Sequence, residues 1–264
     1  MLGNARLPRV MDFVYPFLLS LAAGSASGIG GLLVLAFGEI EERAMGFLLG
    51  FAGGVMLVVS FLELFAEALA HLNQLEATVG FAAGALLMMA IDLTTPHMET
   101  GRWETGIANP RLLKTGVIVA IGISLHNLPE GLVVSLSYAH AKELSVLIAI
   151  MVCLHNIPEG IATATPLKAA GMSRRRAAWF AFLSGMTEPL GALLGSAFLG
   201  ILGVHMHVVG LGLALAAGVM TYITVDELIP VAHEFCSIDY KHYISTGLLV
   251  GMIFGQLLSS ILAV

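Results

Sequence analysis

The stretch "SLHNLPEGLVVS", residues 124–135, lies inside an otherwise apolar run and determines how the chain is interpreted. Twenty-nine residues later the chain repeats it as "CLHNIPEGIATA", residues 153–164. Each copy places a histidine, an asparagine, a proline and a glutamate within five residues. An ionised side chain at the centre of a bilayer costs about 3 kcal/mol. A doubled cluster of this kind therefore needs a chemical reason.

The composition is that of a membrane protein. Of the 264 residues, 58% are hydrophobic and 11% are charged, whereas soluble domains carry about 25% charged residues. The net charge of -6 and the lack of a basic face exclude nucleic acid as a partner. Two cysteines are too few for a disulfide framework. Cys153, beside the second copy, fits either a small buried hydrophobe or a soft metal ligand.

A membrane-spanning helix needs about 20 mostly apolar residues, and the chain offers eight such stretches. They are residues 13–37, 45–70, 76–95, 112–137, 144–166, 175–201, 206–232 and 243–263. Their short connections predict one transmembrane domain over residues 1–264, with the longest polar connection at 96–111. The predicted fold is an all-α polytopic membrane protein, an eight-transmembrane-helix bundle. The twin motif on consecutive, antiparallel spans gives it inverted-repeat character.

The first stretch also resembles a signal peptide, because Arg6 and Arg9 precede an apolar run that contains "AGSAS". Asp12 and Pro16 interrupt that run, and the apolar residues continue to Phe37, which favours a retained first span.

The distribution of basic residues predicts the orientation. Eight spans place both termini on one side of the membrane, and the connections after odd-numbered spans on the other. Nine of the twelve Lys and Arg residues flank those connections, so the positive-inside rule predicts extracytoplasmic termini in a cell inner membrane. The nine are Arg43, Arg102, Arg111, Lys114, Lys168, Arg174, Arg175, Arg176 and Lys241, against Arg6, Arg9 and Lys142 on the other side.

The twin motif has the composition of a metal site. Residues four apart share one face of a helix, so His126 lies with Glu130 and His155 with Glu159. If the fourth and fifth spans face each other, two imidazoles and two carboxylates converge. That donor set suits a borderline divalent cation such as zinc. The proline in each copy also leaves one backbone carbonyl for an ion or water.

A second cation fits beside the first. Asn127 and Asn156 offer side-chain oxygens about 100° around their helices from the histidines, and Glu130 and Glu159 could bridge the two ions. Glu188, in "GMTEPLG" on the sixth span, is a third intramembrane carboxylate. It serves in this interpretation as a ligand or as charge balance. The alternative for all these residues is neutral polar clusters that hold helices together.

Polar side chains toward the ends of other spans fit either cation passage or hydrated helix ends. They are Ser60, Glu63 and Glu67 on the second span, Asp92 on the third, and Asp226 and Glu227 on the seventh.

The motifs "HNLPEG", "HNIPEG", "TEPLG" and "DELIP" resemble those of the ZIP (Zrt/Irt-like) family of divalent metal transporters, in its bacterial branch. The resemblance implies eight spans with both termini outside, alternating access, and uptake of Zn²⁺, with tolerance for Fe²⁺, Mn²⁺, Co²⁺ or Cd²⁺. It implies a binuclear site between the fourth and fifth spans and an inner exit at the acidic residues of the third and seventh. Carried over by position, the first metal site is His126, Glu130, His155 and Glu159, and the second is Asn127, Asn156 and Glu188 with the motif glutamates bridging. Many members have a long histidine-rich loop after the third span, whereas here His97 is its only histidine.

Two other classes of protein compete with the transporter hypothesis. An intramembrane metalloenzyme needs an open metal position and a separate carboxylate base, and the usual HExxH signature is absent. A metal receptor or structural bundle would not need acidic groups at both mouths. We therefore expect no catalytic function and no catalytic cofactor, with the divalent metal as substrate. The expected partners are the lipid bilayer and, given the glycine-rich spans, a second copy in a homodimer.

Overall fold

The structure is a computed structural model that describes residues 11–36, 40–94, 108–140, 142–201 and 206–262. Within these residues eight helices are long and apolar enough to cross a membrane, which confirms the predicted all-α bundle. We name them α1 to α8: Met11–Ala36, Glu42–His71, Gln74–Thr94, Pro110–His140, Lys142–Ala169, 174–201, Met206–Phe235 and Lys241–Leu262. Helix α6 is interrupted at Met186. Most of the polar connection predicted at 96–111, with His97, and both chain termini lie outside the described residues, and the single domain over 1–264 stays a prediction.

Local sequence signals explain where several helices begin and end. At the start of α3, Glu76 N–H donates to Asn73 Oδ1 (2.9 Å) and Asn73 N–H to a Glu76 carboxylate oxygen (3.1 Å), which is a reciprocal capping box. Asn109 caps α4 by accepting from the backbone N–H groups of Arg111 and Leu112. Helix α5 ends at Ala169, and Gly171 in the turn that follows has a φ of 99°, which suits a residue without a Cβ.

The helices pack in two groups. Helix α1 packs against α5 and α6, α6 packs against α4, and α4 packs against α5. In the other group α2 packs against α8, and α3 against α7. Helices α3 and α8 bury only 22% of their spanning segments, so most of their apolar surface suits contact with lipid. The twin motif lies on α4 and α5, within the first group.

The glycine of each motif copy permits a close backbone contact. A Cβ built on Gly131 would lie 1.9 Å from the carbonyl oxygen of Glu188, and one on Gly160 would lie 1.9 Å from that of Ser27. Neither position has room for a side chain. The motif glycines therefore bring α6 onto α4, and α1 onto α5, in backbone-to-backbone contact.

Two π-helical segments occupy equivalent places in α2 and α7. They are Val59–Leu64 and Ile223–Leu228. The Ser60 hydroxyl donates to the Met56 carbonyl (2.7 Å), and the Thr224 hydroxyl donates to the Met220 carbonyl (2.9 Å). The packing of the helices also repeats: α1 packs against α5 as α6 packs against α4, and α2 packs against α8 as α7 packs against α3. This correspondence agrees with the predicted inverted-repeat character. The π-helical segment of α2 carries Glu63, and that of α7 carries Asp226 and Glu227.

Candidate metal centre

The two motif copies contact each other across the α4–α5 interface. His155 Nε2, on α5, lies 2.8 Å from Glu130 Oε1, on α4. His126 Nε2 lies 3.0 Å from the same Glu130 oxygen and 3.4 Å from Glu159 Oε1. All four residues are at most 4% exposed. The structure thus brings together the four side chains that the sequence predicted for the first metal site.

The spacing of these atoms is close to that of zinc ligands. Zinc–nitrogen and zinc–oxygen bonds of about 2.0 Å in a tetrahedron place neighbouring ligand atoms about 3.3 Å apart. The contacts of the His126 imidazole with the two glutamates fall near that value. Small rotations of these side chains would therefore place a borderline divalent cation among nitrogen and oxygen donors.

The residues predicted for the second site lie around α6. Asn156 Nδ2 donates to Glu188 Oε2 (2.8 Å) and to the Ala23 carbonyl (3.0 Å). Asn127 Nδ2 donates to the Ser184 carbonyl (3.1 Å), one turn before Glu188. Because both amide nitrogens are bonded to protein, the amide oxygens point elsewhere and are available to a cation.

Six buried oxygens of this centre accept no hydrogen bond from the described residues. A buried acceptor without a partner costs about 1–3 kcal/mol, and more when it is charged. A divalent cation would compensate several of these oxygens at once. They are Asn127 Oδ1, Glu130 Oε2, Asn156 Oδ1, both carboxylate oxygens of Glu159, and Glu188 Oε1.

A cavity of about 580 Å³ connects this centre to one end of the bundle, which we call the Glu67 face. Glu63, Glu67, Glu130 and His155 are among its lining residues. Glu63 Oε2 lies 3.8 Å from His155 Nδ1, and the other oxygen of Glu63 accepts a hydrogen bond from the hydroxyl of Ser259. The cavity thus begins at the exposed carboxylate of Glu67 and ends at Glu130 and His155.

Glu67 and Ser60, both predicted on the path of the cation, differ in their access to this cavity. Glu67 Oε1 lies 3.0 Å from the His71 imidazole, at the mouth of the cavity. Ser60 is fully buried, is not among the cavity-lining residues, and gives its hydroxyl hydrogen to Met56 of its own helix.

A second acidic cluster lies at the opposite end of the bundle, which we call the Asp92 face. Asp92, Asp226 and Glu227 each offer an oxygen within 4.8 Å of the others. Asp92 and Glu227 are buried, whereas Asp226 is exposed. The family resemblance predicted these three residues at one inner exit, and in the structure they form one cluster between α3 and α7.

Sequence reasoning missed two residues of α4 that contact this cluster. Lys114 Nζ lies 2.6 Å from Asp92 Oδ1, and the Thr115 hydroxyl donates to Glu227 Oε2 (2.6 Å). The sequence did contain a signal for Thr115. It precedes His126 by about three helical turns and therefore lies on the same face of α4. Lys114 was interpreted only as part of the basic flank.

Eight apolar helices around a buried centre of imidazoles, amides and carboxylates define a polytopic membrane protein with an intramembrane polar site. The family model described as "ZIP Zinc transporter" matches residues 105–263. The chain belongs to the ZIP zinc transporter family.

Relatives that match about nine-tenths of the chain support this assignment. The chain is 39% identical to "Zinc transporter ZupT" of Corynebacterium aurimucosum over 254 residues, which cover 90% of this chain and 93% of the relative. It is 41% identical to the protein of that name from Chlorobium luteolum over 258 residues (91% and 95%). It is 38% identical to the one from Escherichia fergusonii over 243 residues (90% and 93%).

Proposed function

We propose that this protein imports divalent metal ions into the cytoplasm through a binuclear site between α4 and α5. Zn²⁺ is the principal substrate, and Fe²⁺, Mn²⁺, Co²⁺ and Cd²⁺ are further ones. The name of the bacterial relatives, zinc transporter, supports Zn²⁺ as the substrate. The mixed nitrogen and oxygen donors support a borderline divalent cation. The metal is a substrate that passes through the protein, which acts as a transporter and not as an enzyme.

His126, Glu130, His155 and Glu159 are the proposed ligands of the first metal. Their contacts of 2.8–3.4 Å support this assignment. For the second metal we propose Asn127, Asn156 and Glu188, with the two motif glutamates bridging. The contact between Asn156 and Glu188 supports that grouping, because it places two of the three residues together.

The observation that carries the proposal is the set of six buried oxygens around the α4–α5 contact that accept no hydrogen bond from the described residues. A structural polar cluster would use its acceptors in hydrogen bonds between helices. Here the amide nitrogens of Asn127 and Asn156 are used in hydrogen bonds to the protein, whereas several carboxylate and amide oxygens, and both ring nitrogens of His126, have no hydrogen-bond partner among the described residues. Oxygen and imidazole-nitrogen atoms left together without partners are the expected property of a site that binds cations.

The proposed route begins at Glu67 and Glu63, crosses the metal centre and leaves at the Asp92 face. The cavity from the Glu67 face supports the first half of this route, and the acidic cluster supports the second. The positive-inside rule places the Asp92 face in the cytoplasm and both termini outside the cell inner membrane. In that orientation, the proposed route from the Glu67 face to the Asp92 face runs into the cytoplasm.

A homodimer stays a prediction, and the glycine-rich spans no longer support it. The glycines of α2 and α8 face each other within one chain, since a Cβ on Gly50 would lie 2.4 Å from the Ile244 carbonyl oxygen. A Cβ on Gly251 would lie 2.1 Å from the carbonyl oxygen of Phe51. These close-approach positions are already used inside the bundle.

The proposal is tested by Zn²⁺ uptake into proteoliposomes. Saturable uptake by the unaltered protein, lost in the Glu130→Ala/Glu159→Ala double variant, is the expected result. Glu41→Ala/Glu143→Ala, which removes two carboxylates outside the centre, is the matched control and should transport normally. Uptake that persists without Glu130 and Glu159 would show that cations travel elsewhere.

A further inference from the structure

A lysine lies on the acidic cluster at the Asp92 face. Lys114 Nζ contacts Asp92 Oδ1 at 2.6 Å, and the two side chains are only 16% and 11% exposed. An ammonium is strongly hydrated and is costly to desolvate without compensation. Its position away from water, against a carboxylate, indicates a specific role beyond the basic flank of a membrane span.

The remaining carboxylates of the cluster also have protein donors. The Tyr222 hydroxyl lies 3.3 Å from Asp92 Oδ2 and 3.1 Å from Asp226 Oδ2. The Thr115 hydroxyl donates to Glu227. Each of the three carboxylates is therefore contacted by a hydroxyl, and the only full positive charge in these contacts is that of Lys114. A divalent ion that binds Asp92 Oδ1 together with the other two carboxylates takes the place of this ammonium.

The contacts of Lys114 and Thr115 connect the two groups of helices. Both residues lie on α4, which also carries His126 and Glu130, whereas their partners lie on α3 and α7. At the Asp92 face, α4 is thus held against α3 and α7 by an ion pair and a hydrogen bond. At the Glu67 face a cavity lies beside the same helix. The lysine is engaged while the opposite face of the molecule is open.

We propose that Lys114 is a tethered cation that fills the acidic cluster while the Glu67 face is open, and that an outgoing metal ion exchanges with it. This inference rests on the proposed function. When a metal has entered the cluster, the displaced ammonium stays close to it because it is covalently attached to α4. Repulsion between the ammonium and the metal weakens metal binding and favours release. Lys114 is therefore a positioning residue that determines how long the cluster retains a cation.

The effect should be visible in equilibrium binding. In a Glu130→Ala/Glu159→Ala background, which disables the membrane centre, Zn²⁺ binding to purified protein reports on the cluster. We expect Lys114→Gln to lower the Kd about tenfold, the effect that Coulomb's law gives for a unit charge about 6 Å from a divalent ion in water-like surroundings. Lys114→Arg should keep the parent Kd. Arg43→Gln removes one positive charge outside the cluster and should also change nothing.

A double variant separates this role from a structural one. With Asp92→Asn present, the proposed site is lost, so adding Lys114→Gln should no longer tighten binding. If Lys114 merely stabilises the fold, Lys114→Gln should instead weaken binding and lower the melting temperature, which would overturn the proposal. A Kd equal to that of Arg43→Gln would also overturn it. Lys114→Met, which keeps the aliphatic stem, replaces glutamine if that variant does not fold.

Transport kinetics distinguish this inference from the function on which it rests. In the otherwise unaltered protein, Lys114→Gln should lower both KM and the maximal rate of Zn²⁺ uptake, since the ion binds more tightly and leaves more slowly. No uptake by the unaltered protein would contradict the proposed function itself. Normal uptake by the unaltered protein, with unchanged kinetics in Lys114→Gln, would contradict only the role of the lysine.

Discussion

His155 of one motif copy contacts Glu130 of the other, with 2.8 Å between Nε2 and Oε1. The ligands of the proposed first site are thus shared between α4 and α5, and neither copy forms a site alone. The i,i+4 pair of a single helix supplies one imidazole and one carboxylate, which is half of a tetrahedral set. This relationship explains why the chain carries the costly motif twice.

The first prediction concerns the two histidines. His126→Ala and His155→Ala should each weaken Zn²⁺ binding by at least about 10- to 100-fold, the range measured when even outer-shell partners of a metal are lost. His233→Ala, on an exposed part of α7, is the control and should bind normally. Isothermal titration of purified protein measures the difference. An affinity loss in only one of the two histidine variants would contradict the shared site.

The second prediction concerns pH. Metal ligands must be deprotonated, so protons compete with Zn²⁺ for the imidazoles and carboxylates of the centre. Affinity for Zn²⁺ should therefore fall as pH decreases from 7 to 5, and it should recover when the pH is raised again. The variant that lacks both His126 and His155 should show a shallower dependence. An affinity that does not change over this range would exclude the histidines as ligands.

The third prediction concerns the motif glycines. Gly131→Ala and Gly160→Ala introduce a methyl group 1.9 Å from a carbonyl oxygen of the neighbouring helix. Overpacking of this kind typically costs about 1–3 kcal/mol, so both variants should melt at lower temperature. Gly212→Ala is the control, because its Cβ would meet only Pro129, at 3.9 Å. Equal melting temperatures for Gly131→Ala and Gly212→Ala would be inconsistent with the packing described.

The fourth prediction concerns the entrance to the cavity. Negative charges at a cleft raise the local concentration of cations and the rate at which they enter. Glu63→Gln combined with Glu67→Gln should therefore raise the KM for Zn²⁺ uptake, and the difference should shrink as salt is added. Glu41→Gln with Glu234→Gln is the control. A KM that stays at the parent value at low salt would argue that ions reach the centre by another route.

Local patterns in the sequence predicted much of this molecule. Apolar length alone predicted eight helices, and the four-residue spacing predicted the contact of His126 with Glu130, because both depend only on helix geometry. Ser60 was grouped with Glu63 by the same α-helical spacing. The structure instead has a π-helical segment there, and its wider turn changes which residues share a face.

The contact between Lys114 and Asp92 could not be predicted in this way. The two residues lie on α4 and α3, on either side of the polar connection, and no periodicity relates their positions. Their contact depends on how two helices are placed against α7. The role of Gly131 was missed for a similar reason, since a helical glycine shows its importance only when the helix opposite it is known.

The direct backbone contacts at Gly131 and Gly160 have a mechanical consequence. Where a carbonyl group rests on a glycine, no layer of side chains separates the helices, and neither helix can slide without a steric clash. The pairs α4–α6 and α5–α1 should therefore behave as stiff units during transport. Any rearrangement is directed to the boundary between these pairs and α2, α3 and α7, where a hydrogen bond and an ion pair can break and a cavity provides space.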